Sequence, residues 1–339
     1  MIFGILAGEP SGDRLGAGLM RAVKTRVGNC RFVGIGGPLM LAEGLESVVS
    51  MDELSINGFR EPVMRLPSLV KILRTLLRTY AELDPAAFIG VDFNVFNFIL
   101  ERLLKKRGVP TVHYVSPSVY AWRRGRVRRI ARSTDLLLTL YPFEPDFYRE
   151  STVEAVFVGH PLADEISLDA GGEAGRDAAR EQLGITGPAP LLAVLPGSRM
   201  SEVKLMAERF LEACERVRVH LPDARFVVPC LRPEIADWLR ICLAGHPDLD
   251  VVTYHGNARL ALTACDVALV KSGTCTLEAM LLHRPMVVSY RIGELTYHLV
   301  KRLLRTPYVA LPNILAGREL VPELLQHDAT ADALARNIL

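Results

Sequence analysis

The stretch Leu191-Leu192-Ala193-Val194-Leu195-Pro196-Gly197-Ser198-Arg199-Met200-Ser201-Glu202-Val203-Lys204 decides the reading of the fold. Five successive apolar residues, cut off by Pro-Gly, are too short for a helix and read as a parallel strand buried on both faces. From Ser201 onward the apolar residues fall at Val203, Met206, Ala207, Phe210 and Leu211, which is helical spacing. A strand therefore passes through a Gly197-Ser198-Arg199 turn into a helix N-terminus, where unpaired amides and the helix dipole favour an anion. Arg199 adds a guanidinium able to make two hydrogen bonds to a phosphate. The alternative is an ordinary strand–helix turn with a surface arginine; the convergence of Gly, Ser and Arg on one loop favours the phosphate site.

Outward from this stretch the same alternation continues. Strands are expected at 225–229, 250–253, 266–270 and 286–289, with helices between them. The turn Ser272-Gly273-Thr274 follows one of these strands and precedes a helix over 276–282. Glu278 falls about one turn into that helix. Its carboxylate could accept from both hydroxyls of a ribose while phosphates sit at the Ser272, Gly273 and Thr274 amides, or it could be a solvent-facing helical glutamate. In the first half, a strand over 2–7, the loop Gly8-Glu9-Pro10-Ser11-Gly12-Asp13 and a helix over 15–23 read as the opening β–α unit of a doubly wound domain. Neither the dinucleotide fingerprint G-x-G-x-x-G nor a G-K-[ST] phosphate loop is present. The buried run Ala87-Phe88-Ile89-Gly90-Val91 ends on a carboxylate, Asp92, at the edge where such folds bind ligands. Further strands are expected at 109–115 and 135–140, and residues 163–190 read as an interdomain linker with a short helix near 176–183.

A chain of 339 residues with 50% hydrophobic content is long enough for two cored domains. Its net charge of +2 is near neutral and argues neither for nor against nucleic acid, and no nucleic-acid partner is expected. Six cysteines without a C-x-x-C pair or a His partner read as buried apolar residues of a reducing cytoplasm, with no metal site. The first residues lack a basic leader, so they read as a strand and not a signal peptide, and no apolar run reaches membrane-spanning length. Residues 66–80 form a basic amphipathic segment, with Lys71, Arg74 and Arg78 opposite the apolar positions. It could lie on an anionic membrane through its apolar face, or turn that face to the core and its cations to solvent. Six arginines lie between 123 and 132, a grouping suited to phosphates or to a solvated helix face.

The motifs Gly8-Glu9-Pro10-Ser11-Gly12-Asp13, Phe88-Ile89-Gly90-Val91-Asp92, His113-Tyr114-Val115-Ser116-Pro117-Ser118, Ala121-Trp122-Arg123, Gly159-His160-Pro161, Leu195-Pro196-Gly197-Ser198-Arg199, Ser272-Gly273-Thr274 with Glu278, and Leu311-Pro312-Asn313-Ile314-Leu315-Ala316-Gly317-Arg318-Glu319 together resemble the lipid-A-disaccharide synthase family. They are long, in order and spread over nearly the whole chain. The resemblance implies an α/β protein of two Rossmann-like doubly wound domains facing a cleft, the GT-B type. An acceptor domain would span 1–165 and a UDP-sugar domain 166–310. Residues 311–339 would return to the first domain or be exchanged with the partner of a homodimer. It implies an inverting transfer of 2,3-diacylglucosamine from its UDP derivative to 2,3-diacylglucosamine 1-phosphate, giving a β-1′,6-linked disaccharide 1-phosphate and UDP. No metal or cofactor is implied. Asp92 matches the family's candidate base and Arg199 the residue steadying the UDP phosphates. Ser11, Gly197, Ser198, Ser272, Gly273, Thr274, Glu278 and Asn313 fall in substrate-binding motifs. The implied place is the cytoplasm, peripherally on the inner face of the inner membrane of a Gram-negative-type bacterium.

Two departures stand out. The family pattern Gly-Ile-Asp-x-Pro-Asp-Phe-Asn is here Gly90-Val91-Asp92-Phe93-Asn94-Val95-Phe96-Asn97, so Asn94 replaces a proline and Val95 an aspartate. A local hydrogen-bond partner is expected to be lost. The chain also stops at Leu339, short of the usual family length, as if C-terminal helices were missing. These features leave room for another UDP-sugar enzyme of the same fold, or for a binder of UDP-sugar or lipid A precursor without turnover.

Overall fold

The computed structural model describes residues 1–54, 66–119, 124–294, 297 and 306–339. They form two compact units, Met1–Pro161 and Leu162–Leu339.

The first unit is built on β1 (Ile2–Ala7), β2 (Arg31–Ile35), β3 (Leu45–Ser47), β4 (Ala87–Val91), β5 (Thr111–Tyr114), β6 (Leu136–Thr139) and β7 (Glu154–Phe157). All run parallel, in the order β3-β2-β1-β4-β5-β6-β7. The second unit repeats the plan with β8 (Leu191–Leu195), β9 (Arg225–Cys230), β10 (Val251–His255), β11 (Val267–Lys271), β12 (Met286–Tyr290) and β13 (Glu323–Leu325), ordered β10-β9-β8-β11-β12-β13. In each sheet the first strand lies in the interior, two strands in from one edge. The chain winds outward one way from it, then returns to its other side. The reversal falls between β1 and β4 in one unit and between β8 and β11 in the other. At such a switch point the two following loops diverge, leaving a crevice at the strands' carboxyl ends.

The continuous apolar run of β8 is explained by its central place. Leu192 and Val194 pack with Val203, Met206 and Phe210 of the Met200–His220 helix. Leu191, Ala193 and Leu195 pack on the other face with Ala261 and Leu262 of the Ala258–Ala264 helix. With helices on both faces, neither side of the strand tolerates a polar residue.

Several sequence expectations are corrected. The first helix begins at Pro10, not near residue 15, and runs to Val27, so the Gly8–Asp13 motif is mostly helix. Proline suits the first turn because its missing N–H would be unpaired there anyway. Residues 163–190 are no free linker: Ile166, Ala179 and Ile185 lie in the second unit's core, and Arg180 reaches Asp266 at 2.8 Å. Their polar composition reflects the outer face of the Glu173–Gln182 helix. The helix Leu66–Leu83 turns its apolar face inward, with Ile72, Leu76 and Tyr80 buried beside Phe88 and Leu100. Lys71, Arg74 and Arg78 are exposed. The apolar face therefore belongs to the core, while residues 63–65 and the arginine-motif residues 121–123 lie outside the described residues.

The short edge strands β3 and β13 carry no clear sequence signal. β13 pairs with β12, and the Ala331–Ile338 helix buries Ala331, Leu334 and Ala335 against the Met200–His220 helix. Residues 311–339 of this chain thus pack on the second sheet, where the sequence reading sends them to the first domain or to a partner.

Candidate functional site

In the first unit the loops after β1 and β4 meet at the switch point. Asp92 and Phe93 both adopt left-handed backbone, with φ of 49° and 45°. Such a conformation costs a non-glycine residue roughly 1–2 kcal/mol. Asn97 offsets it: its buried Nδ2 donates to the Asp92 carbonyl at 2.8 Å and to the Leu6 carbonyl at 3.3 Å, tying the ends of β4 and β1 together. The Asp92 N–H donates to the Tyr114 carbonyl at 2.9 Å, which adds β5 to the brace. The Asp92 carboxylate stays partly exposed. Ser11 Oγ donates to its Oδ2 at 3.4 Å and Asn94 Nδ2 to its Oδ1 at 3.3 Å. Gly8 is required beside it, since a Cβ there would fall 2.5 Å from the Phe93 ring.

Despite the altered motif, the Asp92 carboxylate keeps local partners. The asparagine standing in for proline supplies a donor, and Val95 points to solvent, 77% exposed. Asp13, in the same loop motif, plays a structural part. It accepts from the amides of Gly37, Leu39 and Met40 at 2.8–3.0 Å and caps the Pro38–Ala42 helix.

One turn beyond Asn97, Glu101 is fully buried. His113 Nδ1 lies 2.6 Å from its Oε1, and Thr134 Oγ1 donates to its Oε2 at 2.7 Å. This pair pins the Asn94–Lys105 helix, which carries Asn97, to β5.

In the second unit the loops after β8 and β11 meet in the same way. Gly197 has a φ of 140°, and a Cβ on it would lie 2.6 Å from Cβ of Glu202. Ser198 and Arg199 are exposed, and the Arg199 side chain is 75% accessible. Their amides are not idle: both donate to Glu202 Oε2, at 3.1 and 3.3 Å. Glu202 Oε1 lies 2.9 Å from Lys271 Nζ at the end of β11. Burial would raise the Glu202 carboxyl, but Lys271 and the two amides outweigh it and hold the group below its usual range.

Gly273 and Thr274 are exposed beside this loop, while Ser272 Oγ donates to the Val309 carbonyl at 3.0 Å. Glu278 is mostly buried and lies 3.6 Å from Arg259, which also reaches Glu165 at 3.1 Å. The solvent-facing reading of Glu278 is thereby removed. Asn313 is fully buried with both ends of its amide in use. It donates to the Val321 carbonyl and Glu323 Oε1 at 2.9 and 2.8 Å, and it accepts from the amides of Leu320 and Val321 at 2.7 and 2.9 Å. Glu323 in turn accepts from the Val309 and Ala310 amides at 2.9 and 3.0 Å. Asn313 thus shapes the segment against which Ser272 rests.

The structure gathers Ser11 with Asp92 at one switch point. At the other it gathers Gly197, Ser198 and Arg199 with Lys271 and the adjoining Ser272-Gly273-Thr274 loop. Sequence reading gave no role to Glu202, Lys271 or Asn97, and took Asn94 only as a departure from the family pattern. The glutamate had a signal, since it stands three residues after the turn, where a side chain reaches back to N-terminal amides. Among the described residues, no group of three or more His, Cys, Asp and Glu side chains could hold a metal ion, and all six cysteines are free.

Solved structures share this architecture. The chain superposes on MurG of Acinetobacter baumannii with a TM-score of 0.58, over 99% of this chain and 88% of that one, at 14% identity. It superposes on UDP-GlcNAc 2-epimerase of Methanocaldococcus jannaschii, solved with UDP-GlcNAc and UDP, with a TM-score of 0.62 over 100% and 92% at 12% identity. Likeness at such identity concerns the fold, and with paired parallel sheets it defines the class as the GT-B architecture. Sequence carries the identification further. The family described as Lipid-A-disaccharide synthetase matches residues 2–339. Lipid-A-disaccharide synthases of Pseudomonas syringae pv. tomato and Pseudomonas fluorescens are 49% and 50% identical, over 99% and 98% of this chain and 87% of each relative. The chain belongs to the lipid-A-disaccharide synthase family and is a glycosyltransferase.

Proposed function

We propose that this enzyme transfers 2,3-diacylglucosamine from UDP-2,3-diacylglucosamine to the 6-hydroxyl of 2,3-diacylglucosamine 1-phosphate, with Asp92 as the base. The observation that carries this reading is the carboxylate itself. It stands at the β1/β4 switch point on a braced left-handed turn, holding donors from Ser11 and Asn94. Inversion at the sugar carbon requires a single displacement, so the acceptor hydroxyl must lose its proton as it attacks. Asp92 takes that proton. Charge developing on the departing UDP is met by Arg199 and by amides of the Gly197-Ser198-Arg199 and Ser272-Gly273-Thr274 loops. Glu278 accepts from the ribose, with Arg259 orienting its carboxylate. Asn313 acts at a distance, by fixing the segment behind Ser272.

The substrates carry acyl chains, so the enzyme works at a membrane surface. Among the described residues no helix is long and apolar enough to cross one. Contact is electrostatic, through Lys71, Arg74 and Arg78 and the exposed Arg128, Arg129 and Arg132.

Asp92→Asn tests the assignment. The variant should keep its fold and its affinity for UDP while turnover falls by about 10² to 10⁴. A near-native rate for disaccharide formation in the folded variant would remove Asp92 as the base.

A further inference from the structure

The donor reading above places a diphosphate at the loop after β8, yet that loop's amides already hold an anion. Glu202 Oε2 accepts from the Ser198 and Arg199 N–H groups, its other oxygen faces Lys271 Nζ at 2.9 Å, and Arg199 Nη1 lies 3.9 Å away. Two cations and two amides thus converge on one carboxylate from both sides of the β8/β11 switch point. That is the donor set a phosphate group would require. Lys271 is built into place and is no loose surface cation. Its side chain is 13% exposed, it extends from the last residue of β11, and its ammonium sits over the Tyr290 ring, 4.6 Å from the centroid. A glycine at 197 is what allows Glu202 to lie under the loop at all.

We infer that Lys271 is a second binding residue for the donor diphosphate, and that Glu202 is a positioning residue that occupies the anion's place on the loop amides and yields it to the phosphate. This inference rests on the donor reading and deepens it. When a diphosphate reaches the Ser198 and Arg199 amides, it replaces one carboxylate with a group of higher charge and more acceptor oxygens. Lys271 then exchanges its carboxylate partner for a phosphate oxygen without crossing a desolvated, unpaired state. The exchange sets a threshold. Ligands with too little negative charge do not displace Glu202, so affinity should climb steeply from uridine to UMP to UDP.

Calorimetry of uridine, UMP and UDP on the full chain tests this, using Lys271→Met, Lys271→Arg and Glu202→Gln, with melting temperatures measured alongside. Lys271→Met should weaken UDP about tenfold and make its binding less salt-dependent, leaving uridine unchanged, and Lys271→Arg should recover most of the loss. Glu202→Gln, which keeps the shape but removes the competing charge, should tighten UDP about tenfold and again leave uridine unchanged. Unaltered UDP affinity in Lys271→Met overturns the inference while the donor reading stands. Weakened binding of uridine and UDP alike in Glu202→Gln also overturns it, by making the glutamate a simple loop cap. If Glu202→Gln does not fold, the lysine variants decide the matter alone. Wild-type protein that binds neither UDP nor uridine would remove the donor reading itself.

Discussion

Asp92 shows how little a motif says until its backbone is known. As a letter it is one carboxylate at the end of an apolar run. In the fold it is turned into left-handed backbone and locked there by Asn97, whose buried amide makes bonds no surface asparagine would make. Asn313 is the opposite case. It sits in a motif that the family resemblance ties to substrate, and every polar atom of its side chain is spent inside the protein. Asn313→Ala should therefore act on stability first: it strands the amides of Leu320 and Val321 and the Val321 carbonyl, at about 1–3 kcal/mol for each group left unpaired. Thermal unfolding should show a clear drop in melting temperature. An unchanged melting temperature with lost substrate affinity would instead return Asn313 to direct contact.

Glu144 offers a pH signature at the same scale. Burial pushes its carboxyl up to about 7, against the opposing donation from the Tyr141 and Leu140 amides. A folded pKa above the unfolded one means that the folded state binds the extra proton. Stability is therefore greatest, as far as Glu144 is concerned, below the unfolded carboxyl range, and it falls as pH rises from about 4.5 through 7. A shift of that size is worth on the order of 3 kcal/mol. Glu144→Gln should flatten this part of the stability–pH profile and gain on wild type at pH 8. Parallel profiles for the two proteins would rule the effect out.

Among the elements, the Leu66–Leu83 helix had two readings that its sequence could not separate, because an amphipathic face fits a membrane or a core equally well. The tertiary structure gives it to the core. Leu76→Ser should cost about 3 kcal/mol or more, within the range for truncating buried leucines and with a hydroxyl stranded besides. Val70→Ser, on the exposed side, should stay within about 0.5 kcal/mol. Denaturant unfolding of the pair checks this, and equal effects would mean that the buried face has been misplaced. The Asn94–Lys105 helix tells why the altered motif is tolerated. It buries Phe96, Asn97, Leu100, Glu101 and Leu104, so position 95 falls on its solvent face. There a valine in place of an aspartate disturbs no hydrogen bond of Asp92.

For the whole molecule, the proposed membrane contact is one of charge, because Ile72, Leu76 and Tyr80 of the Leu66–Leu83 helix pack into the core. Each cation near an anionic surface contributes about 1 kcal/mol, screened over about 10 Å at 0.1 M salt. Replacing Lys71, Arg74 and Arg78 with glutamine should sharply reduce cosedimentation with anionic vesicles at low salt, and 0.5 M salt should release the wild type. Binding that survives both would point to an apolar contact elsewhere. The amino-acid sequence by itself determined the α/β alternation, most strand positions, the family and the loops that follow β1, β4, β8 and β11, because these depend on local periodicity and on short motifs contiguous in the chain. It missed β3 and β13, which are too short for a pattern, and it read 163–190 as a linker because an exposed helix face is as polar as a loop. Only the tertiary structure decided the strand order and hence the two switch points, the inward turn of the Leu66–Leu83 helix, and the meeting of Glu202 with Lys271, 69 residues apart. Those outcomes depend on which distant surfaces exclude water together, and no local spacing records that.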